Sequence, residues 1–220
     1  MRRSQLVVLG VLAACAAALA LVLALDRSST STAPAPHQVS SFDGPTAPAS
    51  MPAIDFALRD AAGALVRLRG YRGEPVVLAF IDSTCVNLCP VVAEQLRGAL
   101  GELTRPVAVI AISVDPAQDS AAHIRRFLAA AHLTGRVAYI AGPRRALAPI
   151  WRFFGVQPEV PTASRRANFS LDIELLDKSG KPRVGYTELD ELDPDAIAHD
   201  IEALESEATP RRLPRRLQLP

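Results

Sequence analysis

One junction limits what this chain can become. Pro75-Val-Val-Leu-Ala-Phe-Ile81 is a short apolar run of the kind found in strands buried on both faces. Ser83-Thr-Cys-Val-Asn-Leu-Cys-Pro90 follows almost at once, and Val91 to Leu103 then carries apolar residues at helical spacing, with Glu94, Gln95, Arg97 and Glu102 between them. A strand that turns into a helix places Cys85 in the connecting loop and Cys89 at the helix start. Free N–H groups and the helix dipole favour a thiolate there, and the thiolate is both the nucleophile and the metal ligand. Pro90 suits the first turn, where its missing N–H costs nothing.

The spacing of the two cysteines adds a geometric limit. Residues four apart on a regular helix have Cβ atoms about 5–6 Å apart, whereas a disulfide needs about 3.5–4.5 Å. Cys85 therefore has to leave helical geometry for the pair to close. A pair in a short adaptable loop can alternate between a disulfide and a dithiolate that holds a soft ion such as Cu(I). The bland alternative is two buried, inert cysteines, since free Cys is among the most buried residue types. Placement from loop to helix argues against it.

The chain has 220 residues and a formal charge of +1. That bounds it to one modest domain with appendages and gives no bulk attraction to nucleic acid. Leu6 to Leu25 is uncharged and apolar, and as a helix spans about 30 Å, the thickness of a bilayer's hydrocarbon core. Residues 1–25 read as a transmembrane anchor. Arg2 and Arg3 orient it with the N-terminus in the cytoplasm and the rest on the periplasmic or extracytoplasmic side of the inner membrane. Leu12-Ala-Ala-Cys15 resembles a lipoprotein cleavage box, but apolar residues continue for ten positions beyond Cys15, which favours an uncleaved anchor. The two remaining cysteines form the even set expected in an oxidising compartment.

Residues 26–50, rich in Ser, Thr, Ala and Pro, read as a flexible linker, with His37 solvated within it. Residues 51–207 read as the globular domain and 208–220 as a basic tail carrying Arg211, Arg212, Arg215 and Arg216. Within the domain, Ile54 to Leu58 and Leu65 to Leu68 flank a turn and suggest a hairpin. Val107 to Val114 and Val137 to Ala141 are further strands. Asp119 or Ser120 can cap a helix reaching about Leu133. A helix from Pro143 contains Pro149, which suggests a kink or restart. Leu171 to Leu176 and Arg183 to Tyr186 form a last hairpin, and Asp193-Pro194 starts a helix to about Ser206. This alternation predicts a largely parallel sheet with helices packed on it, an α/β sandwich.

His123, His132 and His199 lie on helices without a second ligand at metal-site spacing, so each reads as a surface or packing residue. Glu188, Asp190, Glu191, Asp193 and Asp195 read as a solvated loop and a helix start with favourable dipole interactions.

Anchor, linker, hairpin, STCVNLCP turn, Ser113-Val-Asp-Pro116 and final hairpin, in that order, resemble the Sco/SenC family over about residues 51 to 206. The resemblance implies a thioredoxin-like α/β fold, a central mixed sheet flanked by helices, tethered to the membrane. It implies copper as cofactor or cargo, and a role in assembling the binuclear copper site of cytochrome c oxidase, whose subunit would be the partner. It further implies that Cys85 and Cys89 are the redox pair and two of the copper ligands. The family's third ligand, a histidine, does not carry over: its place falls on Phe169, between Asn168 and Ser170, and no histidine lies between Leu133 and Ala198. Losing imidazole affects Cu(II) most, while two thiolates still suit Cu(I). The expected function is thus thiol-disulfide exchange during copper-site or respiratory-complex assembly. A copper chaperone without turnover is the second reading. A peroxidase-like thiol enzyme is the third, and it needs a cation near the cysteine.

Overall fold

The computed structural model describes residues 41–158 and 173–208. The segment Leu6 to Leu25, the site of Phe169 and the basic tail lie outside the described residues. Among the described residues no helix is long and apolar enough to cross a membrane.

The strands are β1 (Ala57–Arg59), β2 (Leu65–Arg67), β3 (Val76–Ile81), β4 (Ala108–Ser113), β5 (Val137–Ile140), β6 (Ile173–Leu176) and β7 (Pro182–Tyr186). The helices are α1 (Leu88–Glu102), α2 (Ala121–Ala130), α3 (Arg144–Phe154) and α4 (Pro194–Ser206). β1 and β2 form the expected hairpin. The other five strands make one sheet in the order β5-β4-β3-β6-β7. β3, β4 and β5 are parallel, whereas β6 runs antiparallel to β3 and β7 to β6. The sheet is therefore mixed and not largely parallel. The last two strands are joined by the tight turn Asp177–Gly180, which permits only antiparallel pairing. Gly180 has φ +76°, and Asp177 Oδ1 accepts the Ser179 and Lys181 N–H groups at 2.8 and 3.0 Å.

Period-two alternation divides the core between the sheet's two faces. Val77, Ala79 and Ile81 of β3 pack with Val109, Ala111, Tyr139 and Tyr186 against α1, α2 and α4. Val76, Leu78 and Phe80 pack with Ile110, Ile112 and Ile140 against α3 and the β1–β2 hairpin. All six residues of β3 are buried, as its unbroken apolar sequence requires. Helix α3 is continuous through Pro149. The proline sits on its exposed side, where solvent can take the carbonyl that the missing N–H releases, while Leu147, Ile150 and Trp151 bury beneath it. Ser120, not Asp119, caps α2, its hydroxyl accepting the His123 N–H at 3.2 Å.

Residues just before Met51 dock on the domain. The Asp43 and Gly44 N–H groups donate to the two carboxylate oxygens of Asp200 at 2.7 and 2.9 Å, and Tyr186 donates its hydroxyl to the same side chain at 2.7 Å. Thr46 bridges Val184, the Gly185 N–H donates to Pro45 O, and the Ala47 N–H donates to Arg183 O. Gly44 is needed here for space: a Cβ at that position would lie 2.5 Å from the Tyr186 ring.

β3 and β4 end in register, Ile81 opposite Ser113, and β5 ends beside them with Ile140 opposite Ile112. The loops that follow all three strands gather at one end of the sheet. The STCVNLCP turn leaves from β3, the middle strand of the five.

Candidate active site

Helix α1 starts three residues earlier than its apolar spacing suggests, at Leu88. Its N-cap, Asn87, is in αR geometry and makes no side-chain capping bond. Cys85 takes that role. Its Sγ accepts the Cys89 N–H at 3.3 Å, so the sulfur meets one of the helix's orphan donors. Cys85 is half-buried, Cys89 is buried, and both are free thiols.

The environment divides the two thiols sharply. Donation from the Cys89 thiol is the main reason Cys85 is lowered from 9.0 to about 6, with main-chain N–H groups of Cys89, Asn87 and Leu88 adding to it against the opposing effect of burial. The same hydrogen bond pushes Cys89 far up, since its proton is the one being donated, and burial pushes in the same direction. The negative charges of Cys85 and Asp82 add a smaller upward push. These shifts make Cys85, the more accessible of the two, the thiolate of the pair at neutral pH and keep buried Cys89 protonated. Among the described residues it is hydrogen bonds, and no cation, that lower Cys85.

Two carboxylates hold the loop that presents Cys85. Asp82, at the end of β3, accepts the Thr84 N–H at 2.7 Å and the Thr84 hydroxyl at 2.8 Å, and its carbonyl accepts the Cys85 N–H at 3.3 Å. Asp119 reaches across from the loop after β4. Its Oδ1 accepts the Ser83 N–H at 2.8 Å and the Ser83 hydroxyl, and its Oδ2 accepts the Tyr139 hydroxyl at 2.8 Å. Burial raises the Asp119 pKa against the effect of these bonds. The rim of the site is apolar: Val86, directly after Cys85, is 83% exposed, and Pro90 and Val91 are exposed beyond it.

The structure brings Cys85 and Cys89 together and leaves the histidines elsewhere. His123 Nδ1 lies 2.8 Å from Gln118 O. His132 sits at φ +55° just past α2. His199 Nδ1 lies 3.1 Å from both Asp43 Oδ2 and Asp200 Oδ1. Among the described residues, the His/Cys/Asp/Glu cluster whose donor atoms converge is Asp43, His199 and Asp200, so no third donor of these types joins the cysteines there. The acids before α4 serve as local caps: Glu188 and Glu191 form a capping box, and Asp193 Oδ1 accepts the Asp195 N–H at 2.9 Å. Sequence reasoning missed Asp82, Asp119 and Tyr139 as parts of the site. Asp82 borders the STCVNLCP turn, which was a usable signal. Asp119 offered only the signature of a helix cap.

Solved structures with this fold include apo Sco1 of Thermus thermophilus, 24% identical over 74% of this chain and 96% of its own, with a TM-score of 0.61. Copper-bound ScoI of Bradyrhizobium japonicum is 24% identical over 69% and 98%, with a TM-score of 0.55. BsSco, described with a disulfide switch and as a member of the Sco family of cytochrome c oxidase assembly proteins, is 22% identical over 70% and 93%, with a TM-score of 0.59. No curated protein gives a significant match. Residues 45–206, most of the chain and all of the sheet and helices described above, match the SCO1/SenC family model, and the chain belongs to that family.

Proposed function

We propose that this chain is a Sco-type thiol-disulfide redox protein that acts on partner cysteines during assembly of the copper site of cytochrome c oxidase or of another respiratory complex. The observation that carries this reading is the division of labour in the pair: Cys85 caps α1 as a thiolate while Cys89 waits behind it, buried and protonated. Cys85 Sγ attacks a partner disulfide, forming a mixed disulfide and expelling one partner thiolate. Cys89 then loses its proton and attacks Cys85 Sγ, which expels the second partner thiolate. The partner leaves as a dithiol and this chain as a disulfide, two electrons having moved from one to the other. The exposed apolar residues beside Cys85 suit a protein partner. Leu6 to Leu25 supports a membrane tether, with the domain on the extracytoplasmic side.

Copper carriage is the second reading, favoured by the adjacency of two thiols and by copper-bound relatives such as the Bradyrhizobium protein. Two soft thiolates suit Cu(I), which would be held as cargo by Cys85 and Cys89. A peroxidase-like role has less support, because among the described residues hydrogen bonds, not a cation, lower Cys85.

Two measurements test these readings. Cys89→Ser should accumulate a mixed disulfide at Cys85 with glutathione or a partner, and Cys85→Ser should accumulate none. If mass mapping of the wild type under mild oxidation finds both thiols still free, the redox reading fails. For copper, the wild type should bind Cu(I) and hold Cu(II) poorly, and Phe169→His should strengthen Cu(II) binding with a thiolate-to-copper absorption band. Tight stoichiometric Cu(II) binding by the wild type would move copper delivery to first place.

A further inference from the structure

The thiolate's position depends on a loop that is held from another part of the fold. Three consecutive residues before the helix are each tied down. Ser83 is held by Asp119, Thr84 by the Asp82 carboxylate, and the Cys85 N–H by the Asp82 carbonyl. Asp82 acts locally, within its own turn. Asp119 lies 36 residues away, on the loop after β4, where its N–H donates to Asp115 O and its second oxygen is fixed by Tyr139 of β5. It is 6% exposed, and the side chains around its carboxylate among the described residues, Ser83, Ser113 and Tyr139, are neutral. A buried carboxylate without a cation is costly. Filling space or capping α2 does not call for one, because Ser120 already makes the cap.

Closing the disulfide needs the two sulfurs to approach to about 2.05 Å. Cys85 Sγ would have to give up its place over the Cys89 N–H, which moves the loop that Asp119 grips. We propose that Asp119 is a positioning residue for the dithiol: by clamping Ser83 it holds Cys85 Sγ on the N-terminus of α1 and so favours the reduced pair over the disulfide. This rests on the thiol-exchange reading above. A device that stabilises the reduced form makes the disulfide a stronger oxidant.

The test is the redox equilibrium of the full chain in buffers of reduced and oxidised glutathione. Asp119→Ala should shift it towards the disulfide by at least about tenfold, a potential roughly 30 mV more negative. Asp119→Asn keeps an oxygen for Ser83. Its amide can donate to the Tyr139 oxygen, which frees the single Tyr139 hydroxyl proton for Ile81 O, 2.9 Å away, so this variant should stay within about threefold of wild type. Ser83→Ala removes half of the clamp and should shift the equilibrium part of the way, in the same direction as Asp119→Ala. A merely structural Asp119 would lower the unfolding midpoint and leave this equilibrium unmoved.

A wild type that forms no reversible disulfide overturns the thiol-exchange reading and the clamp with it. A wild type that cycles, with Asp119→Ala and Ser83→Ala unchanged, overturns the clamp alone. So does an Asp119→Asn variant that shifts as far as Asp119→Ala, because charge and not grip would then be responsible. If Asp119→Ala does not fold, Ser83→Ala decides: a shift towards the disulfide supports the clamp, and none overturns it.

Discussion

At pH 7, iodoacetamide should modify Cys85 at least about 100-fold faster than Cys89, because the thiolate is the reacting species and only Cys85 is ionised there. The Cys85 rate should fall about tenfold per pH unit below its midpoint near 6, while Cys89 stays unreactive through neutral pH. Mass spectrometry of singly labelled protein would read both rates. Equal rates, or a Cys85 midpoint near 9.0, would show that the sulfur does not cap the helix. The same shift has a sign for stability. A thiol lowered on folding stabilises the native state fully above its unfolded value, near 9.0, and that contribution is lost as pH falls through about 6. Cys89 is raised, so its contribution is present below its unfolded value and fades only in alkali.

Asp200→Ala should cost about 3–5 kcal/mol, as much as truncating a large core side chain. Asp200 is fully buried and receives the Asp43 and Gly44 N–H groups and the Tyr186 hydroxyl. Removing it strands all three donors. Gly44→Ala attacks the same contact from the other side, by forcing a methyl group against the Tyr186 ring, and should cost about 1–3 kcal/mol. Urea midpoints at constant slope would measure both changes. A loss below about 1 kcal/mol for Asp200→Ala would mean that residues 43–47 contribute little to holding the fold.

Much of this is legible in the sequence, for physical reasons that differ from element to element. β3 and α1 announced themselves because a run buried on both faces and a helical stripe are strong local patterns. The placing of Cys85 in a loop and Cys89 in a helix followed from them. The antiparallel half of the sheet was less legible as a direction. A short strand such as Ile173–Leu176, reading Ile-Glu-Leu-Leu, does not say which way it lies, although the Asp177–Gly180 turn did mark a hairpin. Asp119 and Asp200 were invisible as structural acids. Both are charged residues beside or within helices, where charge normally means solvent, and what makes them different is a partner 36 or 157 residues away. Pro149 misled in the opposite direction, because its cost depends on whether the freed carbonyl faces water, and that depends on helix orientation.

The docking of residues 43–47 along β7 also governs the order in which the domain can be completed. β7 would otherwise be an edge strand, presenting unpaired backbone groups as a template for another chain. Its cover comes from near the start of the chain, and the carboxylate that locks the cover comes from α4, so the ribosome must deliver almost the whole domain before the sheet can be sealed. Contacts of such long sequence separation form late, after the loop-closure entropy of everything between them has been met. The Gly185 amide, bonded to Pro45 O, reports on that seal. Its hydrogen exchange should be faster than that of the β3 amides and should accelerate in Asp200→Ala, since local opening of the cover precedes global unfolding. Until the cover closes, the newly made chain carries an open edge, and that interval is when self-association of this domain has its best chance.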